Sequence, residues 1–218
     1  TGAGARDKNG TLYMRCGNKI RTITRTGATS EATYPAGVYS IAPSPTGTYL
    51  YAIRFNNSNH KGWTLIRLTL NAARTAWVQN HTGFIVPKLG GKELCGRDIA
   101  TDHYGYIYVS NGGWCIGYQN KIVKLTAAGA IVTHFGDFDN IEGGPATQNP
   151  GKFNVNMGIA VTPDGRRIYV ADHLNTRVQY FDWTWNGGYA YGGAWSVPSA
   201  TYGVELDPWG NVYATSTT

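Results

Sequence analysis

Long apolar runs are missing from this chain, and with them any helical membrane span. Charge is sparse: 15% of the 218 residues are Asp, Glu, Lys or Arg, and the net charge is +6. Basicity that mild, in a chain rich in Thr, Asn and aromatics, reads as a secreted protein rather than a nucleic-acid binder. Leu, Glu and Lys are few, which weighs against a helical fold. Cysteine occurs three times with no Cys-x-x-Cys pair, so no zinc motif is present. Gly-x-Ser-x-Gly, His-Glu-x-x-His and a phosphate-binding glycine loop are all absent. The histidines, His60, His81, His103, His134 and His173, stand too far apart for a local metal pair. No initiator Met or signal-peptide pattern stands at Thr1, so the sequence is expected to begin after processing or to be an excerpt.

What the chain has in quantity is Gly (29), Tyr (15) and Trp (7), the composition of an all-β protein. Its organising stretch is Gly151–Asp182. An apolar run, Met157–Val161, leads into the turn Thr162-Pro163-Asp164-Gly165. A second run, Arg167–Ala171, a polar corner, Asp172–Thr176, and an alternating run, Arg177–Phe181, follow. That order predicts three antiparallel strands, a sheet that cannot bury both faces alone. The pattern recurs around Gly10, Gly47, Gly105, Gly165 and Gly210, as DKNGTLYM, SPTGTYLYAI, DHYGYIYVS, PDGRRIYVA and DPWGNVYAT. Repetition at such intervals predicts radial stacking of small sheets.

Gly151-Lys152-Phe153, Gly158–Val161, Asp164-Gly165, Ile168–Asp172 and Asn175–Asp182 together resemble an NHL repeat of the β-propeller superfamily. The resemblance implies one propeller domain, 1–218, of antiparallel three- or four-stranded blades. About four and a half blades are present, where NHL-like rings usually close with six. A propeller alone implies little about activity. The region of the third and fourth blades also looks like peptide-amidating lyase, whose zinc-binding histidine sits in a Val-Pro-His context. The matching residues here are Val155-Asn156-Met157, and a thioether suits zinc poorly, which argues against zinc lyase activity.

In such a ring the longer loops share one face: Asn56–Gly62, Phe84–Leu94, Ser110–Asn120, Asp137–Lys152 and Asp172–Thr176. The opposite face receives only tight turns, so the functional face is expected on the loop side. Ligand-binding candidates there are Trp114, Tyr118, Asn111, His60, Trp63 and His173. For His173 the alternative is a corner capped by its neighbouring Asp and Asn, and Arg177 is read as a blade tie. Asp137, Asp139 and Glu142 could gather calcium, the one cofactor considered; solvated turns are the alternative. Cys95 and Cys115 fall on one face of their blade and form a disulfide candidate, with Cys16 left over; three unpaired thiols are the alternative. Trp77, Trp183, Trp185, Trp195 and Trp209 are read, with Trp63, as packing between blades. Lys19, Arg21 and Arg25 are either an anion-reading patch or a solvated outer strand.

The function expected is a non-enzymatic extracellular binding or assembly module, engaging protein or glycan. The alternatives are a metal-dependent hydrolase or lyase and an RNA-binding propeller, the latter disfavoured by charge. The strands Thr11–Met14 and Asn211–Thr215 are expected to expose edges that recruit a further chain or more polypeptide.

Overall fold

The computed structural model describes residues 5–55, 63–80, 89, 95–112, 120–137 and 148–217, with Trp63 by its backbone alone. These residues form four antiparallel four-stranded sheets and one two-stranded sheet, each ordered as in the sequence or its reverse. The first sheet holds β1 (Ala5–Arg6), β2 (Leu12–Cys16), β3 (Lys19–Ile23) and β4 (Thr29–Thr33). The second holds β5 (Val38–Pro43), β6 (Tyr49–Phe55), β7 (Trp63–Leu70) and β8 (Trp77–Gln79). The third holds β9 (Gly96–Thr101), β10 (Ile107–Asn111), β11 (Lys121–Leu125) and β12 (Ile131–Phe135). The fourth holds β13 (Asn156–Val161), β14 (Arg167–Asp172), β15 (Arg177–Thr184) and β16 (Gly188–Ser196), and the fifth β17 (Thr201–Leu206) and β18 (Val212–Ser216).

Each first hairpin turns the same way. The amides of Gly10, Gly47, Gly105, Gly165 and Gly210 donate to the carbonyls of Asp7, Ser44, Asp102, Thr162 and Asp207. All five glycines have φ between +67° and +89°, a conformation that side chains with a Cβ resist. The apolar faces are buried between consecutive sheets. Tyr13 and Ile20 meet Leu50 and Leu68; Tyr51 and Leu65 meet Ile99 and Val109. Tyr108 and Ile122 meet Ile159 and Ile168, and Tyr169 and Val178 meet Val204.

Two of these joints carry a polar lock. Asp7 Oδ1 accepts the amides of Asn9 and Thr11, both at 2.9 Å, and its Oδ2 accepts the Tyr13 hydroxyl at 3.1 Å. Asp102 does the same with Tyr104, Tyr106 and the Tyr108 hydroxyl, at 3.0, 3.0 and 2.8 Å. The glycine of the following sheet presses on each lock. A Cβ on Gly47 would stand 2.3 Å from Asp7 Oδ2 and from the Tyr13 hydroxyl, and one on Gly165 would stand 2.5 Å from Asp102 Oδ2. The amides of Lys8 and His103 then donate across the joint to the carbonyls of Pro45 and Pro163. Asp207 repeats the lock with Trp209, Asn211 and Tyr213, but there Tyr213 is 57% exposed, against 5% for Tyr13.

Arg177, expected to tie one blade to another, instead ties its own sheet to the segment that leads into it. Its Nε donates to Asp172 Oδ2 at 2.7 Å and its other nitrogens to the carbonyls of Gln148, Asn149 and Lys152. Gln179 also donates to Asp172, and Asp172 caps the Asn154 amide. Other expectations need correcting. The first sheet is four-stranded, and β2 lies between β1 and β3 rather than at an edge. Trp185 and Trp209 are 91% and 85% exposed rather than packed between blades, whereas Trp77 is buried. Lys19 and Arg21 are paired with Glu31 of β4 on the surface. Cys95 is disulfide-bonded and Cys16 is free; Cys115 lies outside the described residues.

The lock predicts a graded cost for adding one methyl group. Gly165→Ala meets both a positive φ and the Asp102–Tyr108 lock, and is expected to cost about 3 kcal/mol. Gly187→Ala has a φ of +85° but nothing within 4 Å, and is expected to cost about 1 kcal/mol. Urea denaturation of both variants checks this; equal losses would show that the lock contributes nothing.

Candidate functional site

The inner strands β1, β5, β9, β13 and β17 line a cavity of about 580 Å³. Its mouth is rimmed by the tight turns that carry Asp7, His103, Pro163 and Asp207. Among the described residues the cavity therefore opens on the tight-turn face, opposite the face where a site was expected.

Strand register makes one residue stand out. Across each first hairpin an inner-strand alanine faces a tyrosine: Ala5 with Tyr13, Ala42 with Tyr51, Ala100 with Tyr108 and Ala160 with Tyr169. In the fifth sheet the pair is Glu205 with Tyr213. Ala5, Ala100, Ala160 and Glu205 all line the cavity. A small residue suits the crowded inner strand, so a carboxyl at this position is costly unless it serves something other than packing.

The second acid is Asp98 of β9, which lines the same cavity. Its Oδ1 accepts the Ser40 hydroxyl from the second sheet and its Oδ2 accepts the Ile159 amide from the fourth, at 3.1 Å. Burial raises the Asp98 pKa above the usual carboxylate range, while these two donors pull it back. No donor among the described residues bonds the Glu205 carboxyl. Burial and then the charge of Asp98 push its pKa up to about 9. Glu205 therefore holds its proton at neutral pH and can both donate and accept a hydrogen bond.

Of the ligand-binding candidates read from the sequence, the side chains of Asn111 and His173 are described. Asn111 is buried at 2% exposure, and its Oδ1 accepts the Cys95 amide. His173 is buried beneath Tyr202, with ring centroids 4.4 Å apart, and its Nδ1 pairs with the Thr201 carbonyl at 3.1 Å. Burial lowers its pKa, so it joins the fourth and fifth sheets as a neutral ring. Trp114, Tyr118, His60, Asp139 and Glu142, and the Trp63 side chain, lie outside the described residues. Asp137 is described, and its carbonyl accepts the Phe153 amide. Met157, at the position of the lyase-type histidine, packs against the apolar cluster between the fourth and fifth sheets and does not suit zinc. Among the described residues no three potential ligands converge on one point. Sequence reasoning missed Asp98 and Glu205. For Glu205 the signal was legible as the one break in the Ala-to-Tyr repeat.

No protein-family model matches the chain. It is 31% identical to a peptidyl-glycine alpha-amidating monooxygenase of Mus musculus and 32% identical to that of Rattus norvegicus, each over 85 residues. That stretch is 38% of this chain and 8% of either relative, so the chain spans under a tenth of their length. Among solved structures, the β-propeller domain of Cps50 (Swd1) from Myceliophteria thermophila superposes with a TM-score of 0.64 at 12% identity. The match covers 99% of this chain and 67% of that one. A gluconolactonase from Xanthomonas campestris gives 0.61 at 15% identity, over 99% and 69% of the two chains. A periplasmic gluconolactonase from Pseudomonas aeruginosa gives 0.57 at 11% identity, over 97% and 64%. At such identities the likeness is one of fold. The fold is a β-propeller.

The raised Glu205 pKa predicts a pH dependence of stability. An unfolded chain releases this proton near pH 4.5, whereas the folded chain keeps it to about pH 9. Between those values the folded state binds more protons, so Glu205 costs stability progressively as pH rises. Below pH 4.5 both states are protonated and the cost vanishes. Glu205→Gln is expected to match the parent at pH 4 and to exceed it by roughly 4 to 5 kcal/mol at pH 8. Denaturation series at both pH values check this; parallel pH profiles would place Glu205 in water.

Proposed function

We propose that the protein is a non-enzymatic binding module that takes a saccharide in the central cavity, from the tight-turn face. One observation carries this reading: a carboxyl group, Glu205, lines the cavity at the register where the four other sheets place alanine, three of those alanines lining it too. With Asp98 beside it, the floor offers both a donor and acceptors, which suits neighbouring sugar hydroxyls. Trp209 lines the mouth and is 85% exposed, a flat platform for the apolar side of a sugar ring. A concave site with a few converging polar groups is the usual form of a small-ligand pocket. Two fold neighbours are named as gluconolactonases, which favours a sugar-sized ligand. The disulfide at Cys95 supports an extracellular or otherwise oxidising compartment. The Asp172–Arg177–Gln179 network supports an NHL-type blade.

The second reading is a metal-dependent hydrolase or lyase of the propeller superfamily. Its support is the 85-residue likeness to amidating monooxygenases; the packing of Met157 weighs against it. An RNA-binding propeller would draw on Lys19 and Arg21, which are already paired with Glu31.

Calorimetric titration with neutral oligosaccharides tests the proposal. Binding is expected to weaken about tenfold or more in Trp209→Ala, and to be unaffected in Trp185→Ala, whose ring is exposed on the β15–β16 hairpin outside the cavity. Absence of saccharide binding, or stoichiometric bound metal with hydrolytic turnover, would overturn it.

A further inference from the structure

The cations of this chain divide into two groups. Most of those described are engaged. Lys19 and Arg21 pair with Glu31, Arg167 with Asp182 and Arg177 with Asp172. Arg54 and Arg67 bond Gln79 and Asn80, and Lys121 bonds the Gly136 carbonyl. Lys124 is enclosed by the rings of Tyr106 and Trp183, with Tyr108 and Tyr189 further out. Arg6, Lys8 and Arg25 differ, as do Arg74 and Lys152, which lie outside the cavity lining. Arg6, Lys8 and Arg25 all line the cavity mouth, all three are exposed, and none of their side chains bonds a described residue. The carboxylate nearest in sequence, Asp7, is buried and holds three donors of its own turn. The first sheet thus brings three cations and one committed carboxylate to the mouth, and the fifth sheet brings Trp209 from a rim turn whose own carboxylate, Asp207, is likewise committed to the Trp209 and Asn211 amides and the Tyr213 hydroxyl.

Resting on the saccharide reading of the same cavity, we infer that the ligand is an acidic saccharide, a sugar carrying a carboxylate that Arg6, Lys8 and Arg25 receive at the mouth. Glu205 stands two residues before the rim turn at Asp207, about 7 Å along an extended strand. A ligand of one or two rings therefore reaches the floor while its outer ring remains at the mouth. There the ring stacks on Trp209 and its carboxylate meets the forked donors of an arginine, which match a planar carboxylate bidentately. The unspent cations raise the local concentration of anions at the mouth, and salt screens this attraction.

The test compares a trisaccharide of uronic acid with its carboxyl-reduced neutral counterpart, titrated into the full chain. The acidic sugar is expected to bind at least about tenfold more tightly, with the advantage shrinking in salt. The double variant Lys8→Gln/Arg25→Gln should bring the ratio of the two affinities close to one. Both positions are exposed, and circular dichroism with a thermal melt confirms that the variant folds. Equal binding of the two sugars would overturn this inference and leave the saccharide reading standing. Binding of neither sugar would overturn both. A ratio that survives in the double variant would overturn the assignment to these cations.

Discussion

A tyrosine hydroxyl resting on a buried carboxylate, both pressed against a bare glycine of the next sheet, sets the geometry of this ring. A buried carboxylate is tolerable only when it is fully hydrogen-bonded, and Asp7 and Asp102 each hold two amides and a phenol. Because the phenol comes from the facing strand, the lock fixes the hairpin register. Because the next glycine must sit against it, the lock also fixes how closely the sheets approach. A one-residue slip would turn the tyrosine to the other face, so the apolar clusters between sheets follow from the same choice. In the second and fourth sheets the turn is one residue longer: the Ser44 amide reaches the Tyr49 carbonyl, where the Asp102 amide reaches that of Tyr106. Ser44 and Thr162 then replace the aspartate and cap only their own turns. Their forward tyrosines, Tyr51 and Tyr169, pack into apolar clusters instead. Locked and apolar joints alternate around the ring.

The fold was legible because its punctuation is local. The positive-φ glycines, the Asp or Ser/Thr three residues before each, and the alternation after each are written in adjacent residues. Arg177 could be read as structural because its partners, Asp172 and the carbonyls of Gln148, Asn149 and Lys152, lie at most 29 residues from it in sequence, but that they serve its own sheet and not a neighbouring one was not written there. The strand Thr29–Thr33 could not. It is polar on nearly every position, since an outer strand on the solvent rim needs no alternation, and only its pairing with β3 makes it a strand. Trp185 and Trp209 were misjudged for the reverse reason: a large ring in a hairpin tip follows the tip outward, whatever its preference for packing.

The site was harder to read than the fold. Loop length drew attention to the face with Ser110–Asn120 and Asp137–Lys152, and long loops do often carry function. The cavity instead uses inner strands and the shortest turns of the chain, where a side chain is held by hydrogen bonds on both flanks. Asp98 illustrates why no local pattern reveals such a group. Its partners, Ser40 and Ile159, come from two other sheets and lie 58 and 61 residues away in sequence. Glu205 was readable only by comparing repeats with one another, because its meaning lies in the alanines it replaces.

That replacement bears on what the cavity is for. A glutamate with a proton held to about pH 9 contributes nothing to the joint that an alanine would not, and in the neutral range it lowers stability. Tyr213 beside it belongs to a lock of the same construction as the first two, so the hairpin would close equally well around alanine. Positions that break a local rule without a structural return are where function is found in natural proteins. The strands on either side make the break usable. Asp98, braced by two neighbouring sheets, supplies a carboxyl that cannot swing away. The pair is then a fixed donor and a fixed acceptor at the base of a cavity whose inner-strand walls also hold Ile41, Ile99, Ala100, Ile159, Ala160 and Val161. Such a floor presents a donor and an acceptor side by side, and the sheets supply them from rigid strands whose positions the joints have already determined.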